Sequence, residues 1–200
     1  MTRPPRPSPV YFFLAALSWP VFWLFFRYRA YGREHLPVSG GYVLAAGHVS
    51  NIDPWPLGLA VFPQRFLRFM AKSELFWWPL GWFIAAAGAF KVRRGTADRA
   101  AIETAVALAR DGNVIAMFPE GTRRRKGLRK KFTAQAHTGA ARIARDAGVP
   151  LVPAGIRGTD QLARFGPVRV RYGAPVEVSD DLDATTERLM LAIAELEASL

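Results

Sequence analysis

The 200-residue chain has no cysteine, which excludes disulfide bonds and any metal site with thiolate ligands. It is also poor in acidic residues, since 16 Asp and Glu stand against 27 Lys and Arg, and the formal net charge is +11. Intrinsic disorder is excluded as well, because 50% hydrophobic and 12% aromatic residues supply enough apolar surface for a buried core. These features indicate one compact, cationic domain without disulfides.

The basic and acidic residues are unevenly distributed along the chain. Residues 1–172 contain 26 basic and 9 acidic residues, whereas residues 173–200 contain one basic and seven acidic residues. A cationic body attracts phosphate, whether in nucleic acid, in lipid headgroups or in phosphorylated small molecules. The sign of the charge therefore does not choose among these partners.

Aromatic residues are nearly absent after residue 90, and 21 of the 25, with all six Trp, lie before that point. Residues 7–26 carry no charge and, at about 1.5 Å per residue, just reach across a bilayer core of roughly 30 Å. Arginines flank this run, and no small-x-small cleavage site follows it. We therefore predict that residues 1–32 form a retained, hydrophobic membrane-associating segment, either spanning or half-inserted, followed by a folded domain over residues 33–200. A second uncharged stretch, residues 75–90, is too short to span and suits either a core segment or the membrane interface.

Apolar runs bounded by Gly and Pro predict β-strands, and periodic apolar stripes that end at Gly predict helices. The predicted strands are residues 41–46, 65–71, 113–118, 149–156 and 168–172. The predicted helices are residues 53–61, 96–111, 138–147 and 183–200. Because strands and helices alternate, the sequence predicts an α/β fold with a largely parallel sheet flanked by helices.

His48 and Asp53 follow the first predicted strand, at the end where open α/β sheets place their sites. On one continuous helix, a spacing of five residues would separate the two side chains by roughly 140°. A turn can instead bring the carboxylate to one imidazole nitrogen and leave the other nitrogen as a base. Asp53 is equally suited to cap the helix that begins at Pro54. From these residues alone, catalysis and capping both stay open, and His48 could be an ordinary loop histidine.

A second polar cluster follows the strand at residues 113–118 and reads Phe-Pro-Glu-Gly-Thr-Arg over residues 118–123. Glycine, a hydroxyl and a guanidinium beyond a strand end can form a cradle for phosphate, while Glu120 is better suited to orient Arg123. Seven of the nine residues at 123–131 are basic. Such a run is either a solvated charged segment or a contact for anionic lipid or a phosphorylated carrier.

Four segments carry a resemblance to a known family: His48-x4-Asp53, residues 88–94, residues 118–123 and residues 149–153. Their order resembles that of the lysophosphatidic acid acyltransferases and their glycerolipid acyltransferase relatives, over roughly residues 33–178. A histidine and aspartate at this spacing, followed about seventy residues later by Phe-Pro-Glu-Gly-Thr-Arg, is highly specific for that family.

The resemblance implies a glycerolipid-acyltransferase-like fold and a thioester-dependent acyl transfer to a lysophospholipid, most simply lysophosphatidic acid. His48 would be the general base and Asp53 would orient it. The implied acceptor-binding residues are Arg94, Glu120, Gly121, Thr122 and Arg123. No metal and no cofactor is implied, with acyl-CoA or acyl carrier protein serving as co-substrate. A thioester is already activated, so a positioned base and oxyanion donors suffice.

The implied partners are a membrane lipid acceptor and a cytosolic acyl donor, and nucleic acid is not among them. We therefore expect a peripheral or monotopic protein on the cytoplasmic face of the cell membrane. Two other classes stay open from sequence. One is a non-catalytic basic protein that docks on anionic membranes or nucleic acid through residues 123–131. The other is a metal hydrolase that uses His48 and Asp53 with His35 or His137.

Overall fold

A computed structural model of the chain describes residues 8–92, 99–120 and 137–200. These residues form one seven-stranded sheet with helices on both faces. The helices are α1 (Pro9–Phe25), α2 (Pro54–Leu59), α3 (Leu80–Ala86), α4 (Arg99–Arg110), α5 (Gly139–Ala147) and α6 (Leu182–Ala198). The strands are β1 (Arg29–Tyr31), β2 (Tyr42–Ala46), β3 (Leu67–Lys72), β4 (Ala89–Val92), β5 (Val114–Met117), β6 (Leu151–Arg157) and β7 (Arg169–Tyr172).

The strand order across the sheet is β1-β7-β6-β2-β5-β3-β4. All neighbouring strands are parallel except β6 and β7, which pair antiparallel. The predicted α/β fold with a largely parallel sheet is therefore confirmed. Both edge strands, β1 and β4, are additional to the strands that the sequence predicts, because each is only three or four residues long and carries charge.

The two faces of the sheet bury different sets of side chains. One face packs against α1 and α2, and its core includes Leu44, Leu57, Val152 and Tyr172. The opposite face packs against α4, α5 and α6, with core residues Val43, Ala105, Ile143, Leu151 and Leu189. Alternation along β2 and β6 explains the division, since successive side chains of a strand point to opposite faces.

Helix α1 crosses the first of these faces from one sheet edge to the other. Ser8 caps its N-terminus by accepting from the Tyr11 amide, and the Ser8 hydroxyl also donates to the carbonyl of Ala86 just before edge strand β4. Phe25 ends the helix four residues before the other edge strand, β1. Seventeen residues at about 1.5 Å each match the width of seven strands spaced about 4.8 Å apart. Within the described ranges, none of the helices combines the length and hydropathy needed to cross a bilayer.

Two buried tyrosines hold α2 in place. The hydroxyl of Tyr28 donates to the carbonyl of Pro56 at 2.6 Å, and that of Tyr172 donates to the carbonyl of Leu57 at 2.8 Å. Burial raises the pKa of both phenols above the ordinary value. The helix that follows Asp53 is therefore fixed to β7 and to the end of α1.

Candidate active site

The loop from Gly47 to Asp53 lies at the carboxyl end of β2, near the middle of the sheet. Strand β2 is fully buried, and its neighbours β5 and β6 run parallel to it. Three strand ends therefore converge at this edge, which is where parallel α/β sheets present their sites.

The side chains of His48 and Asp53 are joined directly. The Nδ1 atom of His48 lies 2.8 Å from Oδ2 of Asp53. Asp53 is the residue before α2, yet its side chain makes no capping hydrogen bond to that helix. The side chain of Asp53 therefore contacts His48 and does not cap α2.

The carboxylate of Asp53 is wholly buried and accepts four hydrogen bonds. Besides His48, the amides of Val49 and Ser50 each donate to Oδ2 at 2.8 Å. The hydroxyl of Thr159 donates to the other oxygen, Oδ1, at 2.5 Å. A buried carboxylate with this many donors is held in one orientation, and it holds the imidazole in turn.

Thr159 reaches the site from a distant part of the chain. It lies two residues beyond the end of β6, is 3% exposed, and is 106 residues from Asp53 in sequence. The sequence prediction does not include it. The one available signal was its position just after the predicted strand at residues 149–156, because parallel strands of one sheet end at the same edge.

The imidazole of His48 is 8% exposed and stacks on the ring of Phe118, with 4.2 Å between ring centroids. Because Asp53 accepts at Nδ1, the neutral imidazole carries its proton there and its lone pair at Nε2. Among the described residues, Nε2 has no hydrogen-bond partner. The arrangement can therefore accept a proton at Nε2 from a group brought to the site.

Gly47 allows two acidic side chains to approach the loop. A Cβ atom at this position would collide with the carboxylate of Glu197 from α6 and would lie 3.5 Å from Oε1 of Glu120. Glu120 and Phe118 belong to the block at residues 118–123, so the beginning of that block adjoins His48. The structure thus brings together the two segments that the sequence separates by about seventy residues.

Four of the predicted acceptor-binding residues lie outside the described part of the chain. These are Arg94, Gly121, Thr122 and Arg123, and the basic run at residues 123–131 lies outside it as well. Of the histidines suggested for a metal site, His35 places Nδ1 3.1 Å from the carbonyl of Tyr172. Over residues 8–92, 99–120 and 137–200, no three His, Asp or Glu side chains group together as metal ligands.

Comparison with known proteins gives a consistent result. Residues 27–157 match the protein family described as Acyltransferase. The chain is 32% identical over 186 residues to a 1-acyl-sn-glycerol-3-phosphate acyltransferase of Bacillus subtilis, with 86% of this chain and 89% of that protein covered. It is 31% identical over 131 residues to the human 1-acyl-sn-glycerol-3-phosphate acyltransferase alpha, of which it covers 44%.

A solved structure shares the architecture. The crystal structure of the 1-acyl-sn-glycerophosphate (LPA) acyltransferase PlsC from Thermotoga maritima superimposes with a TM-score of 0.68 at 26% identity, covering 94% of this chain and 80% of that one. The family match spans His48 and Asp53, whose side chains are in contact, and Glu120, which lies beside Gly47. The chain therefore belongs to the Acyltransferase family and is an acyltransferase similar to the 1-acyl-sn-glycerol-3-phosphate acyltransferases.

Proposed function

We propose that the protein transfers a fatty acyl group from a thioester donor, acyl-CoA or acyl carrier protein, to the free hydroxyl of 1-acylglycerol-3-phosphate, giving phosphatidic acid. The names of its relatives support this acceptor. The contact of 2.8 Å between His48 Nδ1 and Asp53 Oδ2 is the observation that carries the chemistry, because it presents Nε2 as a base.

In the proposed reaction, Nε2 of His48 takes the proton of the acceptor hydroxyl as its oxygen attacks the thioester carbonyl. A C–O bond forms, the C–S bond breaks, and the imidazolium returns the proton to the departing thiolate. Asp53 stabilises the imidazolium and keeps Nε2 aimed at the hydroxyl. No covalent enzyme intermediate is required, since a thioester is already activated.

The acceptor phosphate is proposed to bind the block at residues 118–123 together with Arg94. Phe118 stacks on His48 and Glu120 lies beside Gly47, so the block begins next to the base. Arginine guanidinium groups and backbone amides are the donors best suited to phosphate oxygens. The acceptor hydroxyl would then be held beside Nε2 by its own phosphate.

The protein is further proposed to dock on the cytoplasmic face of the membrane without spanning it. The outer side of α1 exposes Phe13, Trp23 and Leu24 by 57% or more of their surface, and Trp78 before α3 is 84% exposed. The Ser8–Ala86 hydrogen bond joins the start of α1 to the end of α3, so the two helices adjoin there. Exposed Trp and Phe on adjoining helices favour an interfacial position among lipid headgroups.

Replacement of the base is the decisive test. His48→Ala is expected to lower the rate of phosphatidic acid formation by a factor on the order of 10³ or more, because general-base catalysis and the orientation of the acceptor are both lost. His137→Ala is the matched control, since the His137 side chain is exposed and the residue's hydrogen bond to the carbonyl of Pro119 is made by its backbone amide. Product mass spectrometry with a panel of lysolipids and both donors measures the effect. Activity retained in His48→Ala would overturn the proposal.

A further inference from the structure

Three arginines form one row across the sheet at the β1 edge. Arg29 of β1 and Arg169 of β7 are register partners, and Arg169 is also the register partner of Arg157 of β6. Their neighbours Ala30, Val170 and Ile156 pack into the core beneath α1, so the arginines point to the opposite face, which α6 only partly covers. All three side chains are exposed.

The row is not explained by stability of the fold. Like charges directly opposite each other on neighbouring strands destabilise a sheet. One described contact offsets this, the donation from Arg169 to a main-chain oxygen of Leu200 at 3.0 Å. Three aligned arginines, with the Leu200 contact as the one described offset to their repulsion, create a positive field that favours binding of an anion.

A cleft of about 930 Å³ lies beside the row, between the β1–β7 edge and the last turns of α6. Tyr31 and Arg171 both line it, with the guanidinium 5.2 Å from the ring centroid. The Nε atom of Arg171 is buried and has no hydrogen-bond partner among the described residues, although buried donors are nearly always paired. The other charged residues of the lining are Arg33, Glu34, His35 and Glu195.

The cleft and the catalytic loop lie on either side of the last turn of α6. Leu196 lines the cleft, whereas Glu197 packs against Gly47, the residue before His48. Arg157 is two residues from Thr159, which contacts Asp53. The last turn of α6, about 10 Å across with its side chains, therefore separates the cleft from the loop that carries His48. A flexible arm can bridge that distance.

The position of the row on the sheet separates it from the lipid. The exposed aromatic surface of α1 is on the opposite face, so a membrane that contacts α1 lies away from Arg157 and Arg169. The concave shape and the volume suit a small molecule, whereas a docked carrier protein needs about 800 Å² of matching surface on each partner. These features favour a water-soluble, phosphorylated small ligand.

We propose that the cleft and the arginine row bind the nucleotide portion of an acyl-CoA donor. The inference rests on the proposed function and names the donor of that reaction. Arginines of the row and Arg33 contact the phosphates, and the adenine stacks on Tyr31 and Arg171. The pantetheine arm crosses the last turn of α6 and delivers the thioester to His48.

Equilibrium binding of free coenzyme A to the full-length protein in detergent tests the site. Replacing all three arginines of the row with Gln is expected to weaken binding about tenfold or more, since charge-assisted hydrogen bonds to phosphate are lost. Arg142→Gln is the matched control, because Arg142 is exposed on α5 of the same sheet face and is remote from the cleft. Arg33→Gln supplies a second test at the cleft rim, should the triple variant not fold. The His48→Ala protein should bind coenzyme A as tightly as the unaltered protein.

A kinetic experiment compares two acyl donors, acyl-CoA and acyl-pantetheine. The KM for acyl-CoA should rise in the triple variant with the KM for the acceptor unchanged, and the KM for acyl-pantetheine, which lacks the nucleotide, should not respond. An unchanged affinity for coenzyme A overturns the inference while leaving His48-dependent acylation intact. A rise confined to the KM for acyl carrier protein also overturns it, in favour of a protein donor. Binding of coenzyme A combined with full activity in His48→Ala would instead refute the proposed function.

Discussion

The loop that holds His48 and the outer surface of α1 differ in whether their side chains find partners within the chain. In the loop, each oxygen of the Asp53 carboxylate is paired with a donor of the same chain. On α1, Phe13, Trp23 and Leu24 are more than half exposed, and the contacts of this helix with the core come from other residues, such as Tyr11 and Phe22. The geometry proposed for catalysis is thus internal to the fold, whereas the apolar outer surface of α1 is left uncovered by the described residues.

This difference implies that the proposed chemistry and the proposed membrane binding are separable. A change in the loop should alter the rate constant and leave membrane binding as it was. A change on the outer side of α1 should do the reverse. The predictions below test that separation, beginning with the largest effect.

Asp53→Asn is expected to lower kcat by a factor on the order of 10³ to 10⁴. The amide cannot accept hydrogen bonds as the carboxylate does, and it no longer stabilises the imidazolium or fixes the tautomer of His48. Activity on a water-soluble short-chain acceptor measures the loss, and circular dichroism checks the fold. Vesicle binding should be unchanged, so weaker binding in this variant would break the proposed separation.

Polar substitution on α1 is expected to have the opposite signature. Phe13→Gln, Trp23→Gln and Leu24→Gln combined should reduce partition onto phospholipid vesicles by about 100-fold, because three apolar side chains lose their burial in the interface. Co-sedimentation with vesicles containing anionic lipid measures it. Glutamine preserves helix propensity, which makes these substitutions a cleaner test than removal of α1 and its core residues Tyr11 and Phe22.

The control for this variant removes a similar number of exposed apolar side chains from other surfaces. Val38→Gln with Leu191→Gln removes two exposed apolar side chains that lie away from α1, and partition should stay unchanged. Turnover of a short-chain soluble acceptor should also be unchanged in the α1 variant. Equal loss of partition in both variants would show that hydrophobicity in general, and not the α1 surface, determines binding.

The contact between His48 and Asp53 was within reach of the sequence because it is local. The two residues are five apart after a buried strand, so a turn allowed their contact while capping by Asp53 stayed open, and the resemblance to the acyltransferases favoured the pair. The edge strands β1 and β4 were not predictable, since short segments with charged residues pair through their backbones and leave no apolar pattern. The antiparallel direction of β7 was equally hidden, because a strand pattern carries no information about direction.

The contact of Thr159 with Asp53 could not be predicted from local sequence. Its hydroxyl meets Asp53 only because β6 is adjacent to β2 in the sheet, and strand order is set by tertiary packing. Phe118 was within a predicted segment, but its stacking on His48 depends in the same way on β5 being the other neighbour of β2. Sequence therefore predicts the pair, and the sheet supplies what surrounds it.

Thr159→Val tests how much the Thr159 hydroxyl contributes to the catalytic rate. Loss of the hydroxyl leaves Oδ1 of Asp53 without this donor, and we expect kcat to fall about tenfold, in line with a buried hydrogen bond to a charged group. The KM for both substrates should be unaltered, because Thr159 reaches the substrates only through Asp53. Thr159→Ser, which keeps the hydroxyl, should restore most of the rate. Failure of Ser to do so would reduce the role of Thr159 to packing.

The smallest effect concerns Tyr28, which physically joins the two regions. It lies three residues after the end of α1, and its hydroxyl donates to the carbonyl of Pro56 in the helix that follows Asp53. Tyr28→Phe leaves that buried carbonyl without its donor and should lower the free energy of unfolding by about 1 to 2 kcal/mol at pH 7. Urea unfolding measures it, with Tyr31→Phe as the control at a partly exposed ring.

The pH dependence gives this prediction a sign. Burial raises the pKa of Tyr28 above its ordinary value of about 10, so above that pH the unfolded chain releases a proton that the folded chain retains. The stability of the unaltered protein therefore falls as pH rises past about 10, and Tyr28→Phe escapes that part of the loss. The difference between the two proteins should shrink from pH 7 to pH 11. If Tyr28→Phe changed kcat strongly as well as stability, the loop would depend on the α1 junction, and the separation of chemistry from membrane binding would fail at this residue.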